Sequence, residues 1–282
     1  MRGRRKEINL REIKAQAQLT REERAELDGL RELARRFAMR RRIYMLPRGG
    51  QCFRFAFCAD IHVGSTHEQR DAFAAYIDFV RREKIRLLLV AGDIIDGDKV
   101  YRGQEYEVYA HGMEKQIAEL GHYAKITRGL DVRFIAGNHD MSYHHTAGVD
   151  VGGIIAHETG WRNCGDYYAS FCFPLRSSLV RVDLAHPSGT GAAYAISYRP
   201  QKIVESLTGG QKPDVLCIGH YHKSEMLPSY RNIIVFQAGC FQSQTPFLAN
   251  KGIAVHLGGW IAEIEKRGKT FRVRPEFLGF YD

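Results

Sequence analysis

Apolar positions in this chain come in short unbroken runs, and most of these runs stop abruptly at a polar residue. FRFAFCA (53–59), IRLLLVA (85–91), VRFIA (132–136), LVRVDLA (179–185) and DVLCI (214–218) are the clearest. Runs of this length, rich in β-branched and aromatic residues, predict strands buried on both faces. Between the first two runs, residues 68–84 (EQRDAFAAYIDFVRREK) carry apolar positions at helical spacing, and residues 104–125 predict a second helix before the third run. Strands alternating with helices imply a parallel sheet covered on both sides. Beyond residue 165 the runs shorten and crowd together (YYASFCFPL, NIIVFQAG), which predicts a strand-rich second half with antiparallel pairs.

The first 48 residues follow another pattern. Thr20 and Glu23 fit a capping box, and Leu27, Leu30, Leu33, Ala34 and Phe37 form one apolar stripe behind it. A shorter helix is expected over residues 8–17. Arg40-Arg41-Arg42 and Pro47-Arg48-Gly49-Gly50 read as a linker, giving a basic helical segment over 1–50 and a catalytic domain over 51–282.

Charge sharpens this division. Residues 1–48 hold 15 Lys and Arg against 7 Asp and Glu, whereas the remainder holds 26 against 25. Nearly all of the net +9 therefore lies in the first sixth of the chain. Such asymmetry is the footprint of a polyanion-binding segment, although an Arg-rich amphipathic helix also serves packing or self-association. Nucleic acid is the expected partner, with a homo-oligomer joined through these helices as a second expectation. No run approaches the roughly 18 apolar residues that span a bilayer, and the basic start has no apolar stretch behind it. The six cysteines form no C-x-x-C pair, and Cys58 and Cys217 sit inside apolar runs. A cytoplasmic setting without a membrane is the expectation.

The chemistry lies at the ends of the runs. In order, they are followed by Asp60-Ile61-His62, Gly92-Asp93, Gly137-Asn138-His139-Asp140, His186 and Gly219-His220-Tyr221-His222. Strands that deliver polar side chains to one sheet edge are how open α/β sheets build a site. Carboxylate, imidazole and amide without thiolate suit divalent ions such as Mn, Fe, Zn or Ni. His67, His111, His122, His144, His145, His157 and His256 lack this placement and read as surface or packing residues.

The ordered set D-x-H, G-D, G-N-H-D, H, G-H-x-H resembles the calcineurin-like metallophosphoesterases over residues 52–245 or so. The resemblance implies two packed mixed β-sheets flanked by helices, with two divalent ions, most often Mn, at one edge. It implies one ion on Asp60, His62, Asp93 and His222, and another on Asp93, Asn138, His186 and His220, with Asp93 shared. Two ions can share a water, lower its pKa and neutralise phosphate oxygens. His139 is then the general acid for the leaving oxygen, with Asp140 orienting its ring. Asp96 is expected either behind a metal ligand or at a helix N-cap, and Lys223 either on substrate phosphate or in solvent. The combined expectation is a phosphodiesterase acting on DNA or RNA, with a catalytic domain similar to the SbcD-type repair nucleases. The alternatives are a phosphatase or cyclic-nucleotide phosphodiesterase and, more remotely, a non-catalytic scaffold of the same fold.

Overall fold

The computed structural model describes residues 43–47, 49–189, 195–208 and 212–281. The capping box, the apolar stripe and the basic helices expected before residue 43 lie outside the described residues, as do residues 190–194. The chain divides after Arg41, and every described residue belongs to the unit Arg42–Asp282.

Twelve described strands form two six-stranded mixed sheets. The first contains β2 (Cys52–Cys58), β3 (Leu87–Ala91), β4 (Asp131–Ala136), β5 (Arg162–Asp166), β11 (Leu257–Arg267) and β12 (Thr270–Phe280), in the order β12-β11-β2-β3-β4-β5. Its centre, β2 through β5, is parallel, and β11 and β12 are antiparallel additions. The second contains β1 (Ile43–Met45), β6 (Tyr168–Pro174), β7 (Leu179–Ala185), β8 (Val215–Ile218), β9 (Glu225–Tyr230) and β10 (Ile233–Gln237), in the order β1-β6-β7-β8-β10-β9.

Alternation along β2 shows how the layers are held. Phe55 and Phe57 point into the core between the sheets, while Ala56 and Cys58 face the helices on the other side. The inter-sheet core adds Phe171 and Phe173 from β6, Val182 and Leu184 from β7, and Trp260 from β11. Phe53 and Phe173 stack across it with ring centres 4.0 Å apart. On the outer face of the first sheet lie α1 (Arg70–Arg82), α2 (Met113–Ile126), α3 (Ser142–Ala147) and α4 (Val151–Thr159). In α1, Phe73, Tyr76, Ile77 and Val80 are fully buried at spacings of three and four. Burying each such side chain is worth about 1.5–3 kcal/mol. Arg81 and Arg82 complement the dipole at its last turn, and Lys84, at φ +55°, ends it. On the second sheet α5 (Tyr198–Ser206) covers β8 and β10 through Val204. A short helix, α6 (Pro246–Asn250), is capped by Thr245 through the Leu248 amide.

Two expectations are corrected. The segment read as linker supplies β1, which pairs parallel with β6 through Ile43–Ser170 and Met45–Cys172. Residues 104–125 are not one helix. Gln104–Tyr106 form a single 3-10 turn, and α2 begins only at Met113, because Gly112 takes φ +86°, outside the helical region.

Candidate metal centre

The site lies where β2, β3, β4, β7 and β8 end. The loops after β2 and β3 are zipped together: the Asp60 amide donates to the Gly92 carbonyl (3.0 Å), and the Ile61 and His62 amides donate to that of Asp93 (2.8 and 3.1 Å). Within these loops and the one after β8, Asp60, His62, Asp93, His220 and His222 all take positive φ, between 52° and 83°. A non-glycine residue in the left-handed region costs about 1–3 kcal/mol and clusters at functional sites. Each turn aims its side chain back over the sheet edge. Gly137 permits the approach of the third loop, since a Cβ there would lie 2.2 Å from Asp93 Oδ1 and 2.7 Å from the His186 ring.

Three histidines have one ring nitrogen tied to an oxygen that can only accept. His62 Nδ1 donates to Asp96 Oδ1 (2.9 Å), His186 Nδ1 to the Ala91 carbonyl (2.7 Å) and His220 Nε2 to the Gly189 carbonyl (2.6 Å). In its neutral form each therefore presents the lone pair of its other nitrogen. His186 Nε2 lies 3.0 Å from Asn138 Oδ1 and 3.1 Å from Asp93 Oδ2, so acceptors converge from three side chains. His62 Nε2 lies 3.1 Å from His222 Nε2, which is 3.7 Å from Asp60 Oδ1, and His222 Nδ1 is buried without a partner. Ligand atoms of Asp60, His62 and His222 fall within 4.8 Å of one another, as do those of Asp93, His186 and His220. Asp93 also groups with His62 and His139, which places it between the two sets.

This donor set fits divalent cations. Two buried carboxylates, an amide oxygen and inward-facing imidazole nitrogens attract positive charge and offer hard to borderline ligands. The electrostatics agree. Burial pushes Asp93 up, but His186 and His139 outweigh it and hold it well below the usual carboxylate range. Burial keeps Asp60 well above that range. His186 is pulled down by burial but pushed up to about 9 by Asp93 and Asp60, a proton that a metal would displace. Burial and the neighbouring His186 bring His220 down to about 4.

The surroundings of His139 differ from expectation. Asp140 does not orient its ring. The Asp140 carboxylate accepts from the amides of Ile94, Ile95 and Gly137 (2.9, 2.9 and 2.8 Å) and so ties the loop after β3 to the loop after β4. His139 Nδ1 instead donates to the Asp96 carbonyl (2.6 Å), and its amide donates to Asp93 Oδ1 (2.8 Å). Asp96 thus stands behind both His62 and His139 and is not a helix N-cap. Gln104 Nε2 donates to Asp96 Oδ2 (3.0 Å), and Gln242 Nε2 donates to Asp96 Oδ1 (3.2 Å). These two glutamines escaped the sequence reading, having no motif and lying 8 and 146 residues from Asp96.

His62, Asp93, Asn138, His139, His220 and His222 open onto a cleft of about 290 Å3. Lys223 is not among its lining residues and is buried rather than in solvent. His144 and His145 sit exposed on α3, away from the cleft.

A model of the calcineurin-like phosphoesterase family matches residues 53–224. Archaeal proteins named DNA polymerase II small subunit are similar over most of the chain. That of Methanothermobacter thermautotrophicus is 26% identical over 235 residues, covering 69% of this chain and 48% of the relative. That of Methanocaldococcus jannaschii is 31% identical over 240 residues, covering 71% and 40%. The chain spans less than half the length of these two relatives. Among solved structures, Vps29 from Cryptosporidium parvum aligns with TM-score 0.39 and 12% identity, covering 81% of this chain and 99% of that one.

Proposed function

The chain belongs to the calcineurin-like phosphoesterase family, and on that footing we propose that it is a dimetal-dependent phosphodiesterase acting on DNA or RNA. The observation that supports this most is the convergence of side chains around Asp93, with three imidazoles each tied at one ring nitrogen and turning the other toward the centre. Asp60, His62, Asp93 and His222 would hold one ion, and Asp93, Asn138, His186 and His220 the other. When bound, two such ions supply a low-pKa water and neutralise charge on the phosphate oxygens. The chain's own residues do the rest. Asp96 fixes the His62 ring so that Nε2 faces inward. The Asp96 carbonyl fixes His139 through Nδ1–H, leaving His139 Nε2, when it carries the ring's second proton, as the atom that delivers that proton to the leaving oxygen. Nucleic acid is favoured as substrate by the basic first 48 residues and by relatives that carry the name of a DNA polymerase subunit.

Those relatives also favour a second reading, in which the fold serves as a subunit beside a polymerase and does no chemistry. Mn-dependent hydrolysis of end-labelled single- and double-stranded DNA and RNA separates the two. Cleavage that disappears in His139→Ala supports the enzyme. Tight Mn binding without hydrolysis of nucleic acid or of nitrophenyl esters supports the subunit.

A further inference from the structure

The wall of the cleft facing the metal residues is aromatic. Tyr101, from the irregular segment after β3, stacks on Phe247 of α6 with ring centres 4.1 Å apart and planes 20° apart. The Lys251 ammonium lies over the Phe247 ring, 4.2 Å from its centre. All three line the same cleft as His139 and His220, and the Tyr101 ring centre is 6.3 Å from that of His139. The wall is braced from behind. Buried Glu107 accepts from Tyr101 Oη (2.6 Å) and from the Phe247 amide (3.2 Å), joining two segments 140 residues apart. Leu248 and Ile253 continue it as apolar surface.

We propose that this wall is a base-stacking subsite, so that the substrate is a phosphodiester whose nucleotide base is unpaired and free to enter the cleft. The inference rests on the phosphodiesterase reading and narrows it. Two half-buried rings held in a fixed stack would be an ordinary miniature core if they faced inward, but these face the reacting centre. Lys251 is exposed, so the ammonium lying over the Phe247 ring is the tip of a flexible side chain. A base can take that place, since every base offers a π-face to an aromatic ring. The displaced ammonium stays beside the nucleotide, where it meets a phosphate oxygen. A duplexed base is stacked on both faces and cannot enter, which makes single-stranded ends the favoured form.

The test compares 2′-deoxyadenosine 5′-monophosphate with 2-deoxyribose 5-phosphate by calorimetry on the full chain with Mn, in a His139→Ala background that slows turnover. The nucleotide is expected to bind on the order of tenfold more tightly than the base-free sugar phosphate. Phe247→Leu should bring that ratio close to one, and Phe247→Trp should restore it. Equal binding of the two ligands to the parent, or a ratio unmoved by Phe247→Leu, would overturn the proposal. A chain that keeps the ratio yet cleaves no nucleic acid would remove the nuclease reading and leave the base subsite standing.

Discussion

Replacing Asp96 with asparagine keeps the shape of the side chain but removes its charge and one acceptor. Oδ1 accepts from His62 Nδ1 (2.9 Å) and Gln242 Nε2 (3.2 Å), and Oδ2 accepts from Gln104 Nε2 (3.0 Å). An amide has one oxygen, so its NH2 must face either Gln104 or the His62 and Gln242 pair. The Asp96 and His62 side chains are each 1% exposed, and no solvent reaches the mismatch. A buried donor left unsatisfied costs about 1–3 kcal/mol. In a body of this size each kcal/mol lowers Tm by about 2–4 °C. A second effect falls on the metal. An anionic partner on Nδ1 raises the basicity of Nε2, and losing such partners lowers metal affinity about 10–100-fold, roughly 1.4–2.8 kcal/mol. Mn titration by calorimetry, paired with thermal unfolding in chelator, reads the two effects separately. Asp96→Asn protein that binds Mn as tightly as the parent and melts at the same temperature would refute the reasoning. Lower Tm with unchanged Mn affinity would restrict Asp96 to packing.

His139→Ala should retain both metals by elemental analysis and lose about 10^2–10^4-fold in turnover on poor leaving groups; an equal loss on nitrophenyl esters would remove it from the acid role. Gly137→Ala should empty the centre, because the new Cβ would sit 2.2 Å from Asp93 Oδ1 and 2.5 Å from the Asp93 amide; full metal occupancy would show that the loop can yield. Asp140→Asn should destabilise the fold by about 1–3 kcal/mol in urea unfolding, since an amide cannot accept from all three backbone donors. A stability equal to the parent's would contradict the bracing role.

The residues at the strand ends were legible because two signals coincide there. A buried strand announces itself by its apolar run, and the residue that ends the run must lie at the sheet edge. Asp60, Asp93, Asn138, His186 and His220 therefore come together in space although up to 160 residues separate them. What adjacency cannot convey is direction. In Asn138-His139-Asp140 three successive side chains leave a tight turn toward His186, the cleft and the buried amides, so the neighbour in sequence is not the neighbour in space. Gln104, Gln242, Tyr101 and Phe247 stayed hidden for a related cause. They come from irregular segments and a five-residue helix, where no periodicity marks an inward face. The strand β1 is three residues long, too short for alternation to register.

The left-handed turns carry a practical lesson for anyone substituting residues of this centre. Five positions of the centre hold backbone conformations that Asn, Asp, His and Gly adopt most readily among the twenty residues. An exchange such as Asp60→Asn removes the carboxylate charge, and His222→Asn removes the imidazole, while each respects its turn. Alanine or valine at the same place would also bend the loop, mixing lost chemistry with altered shape. Controls built with asparagine therefore report on the lost charge or ring, and those built with β-branched residues report on the scaffold as well.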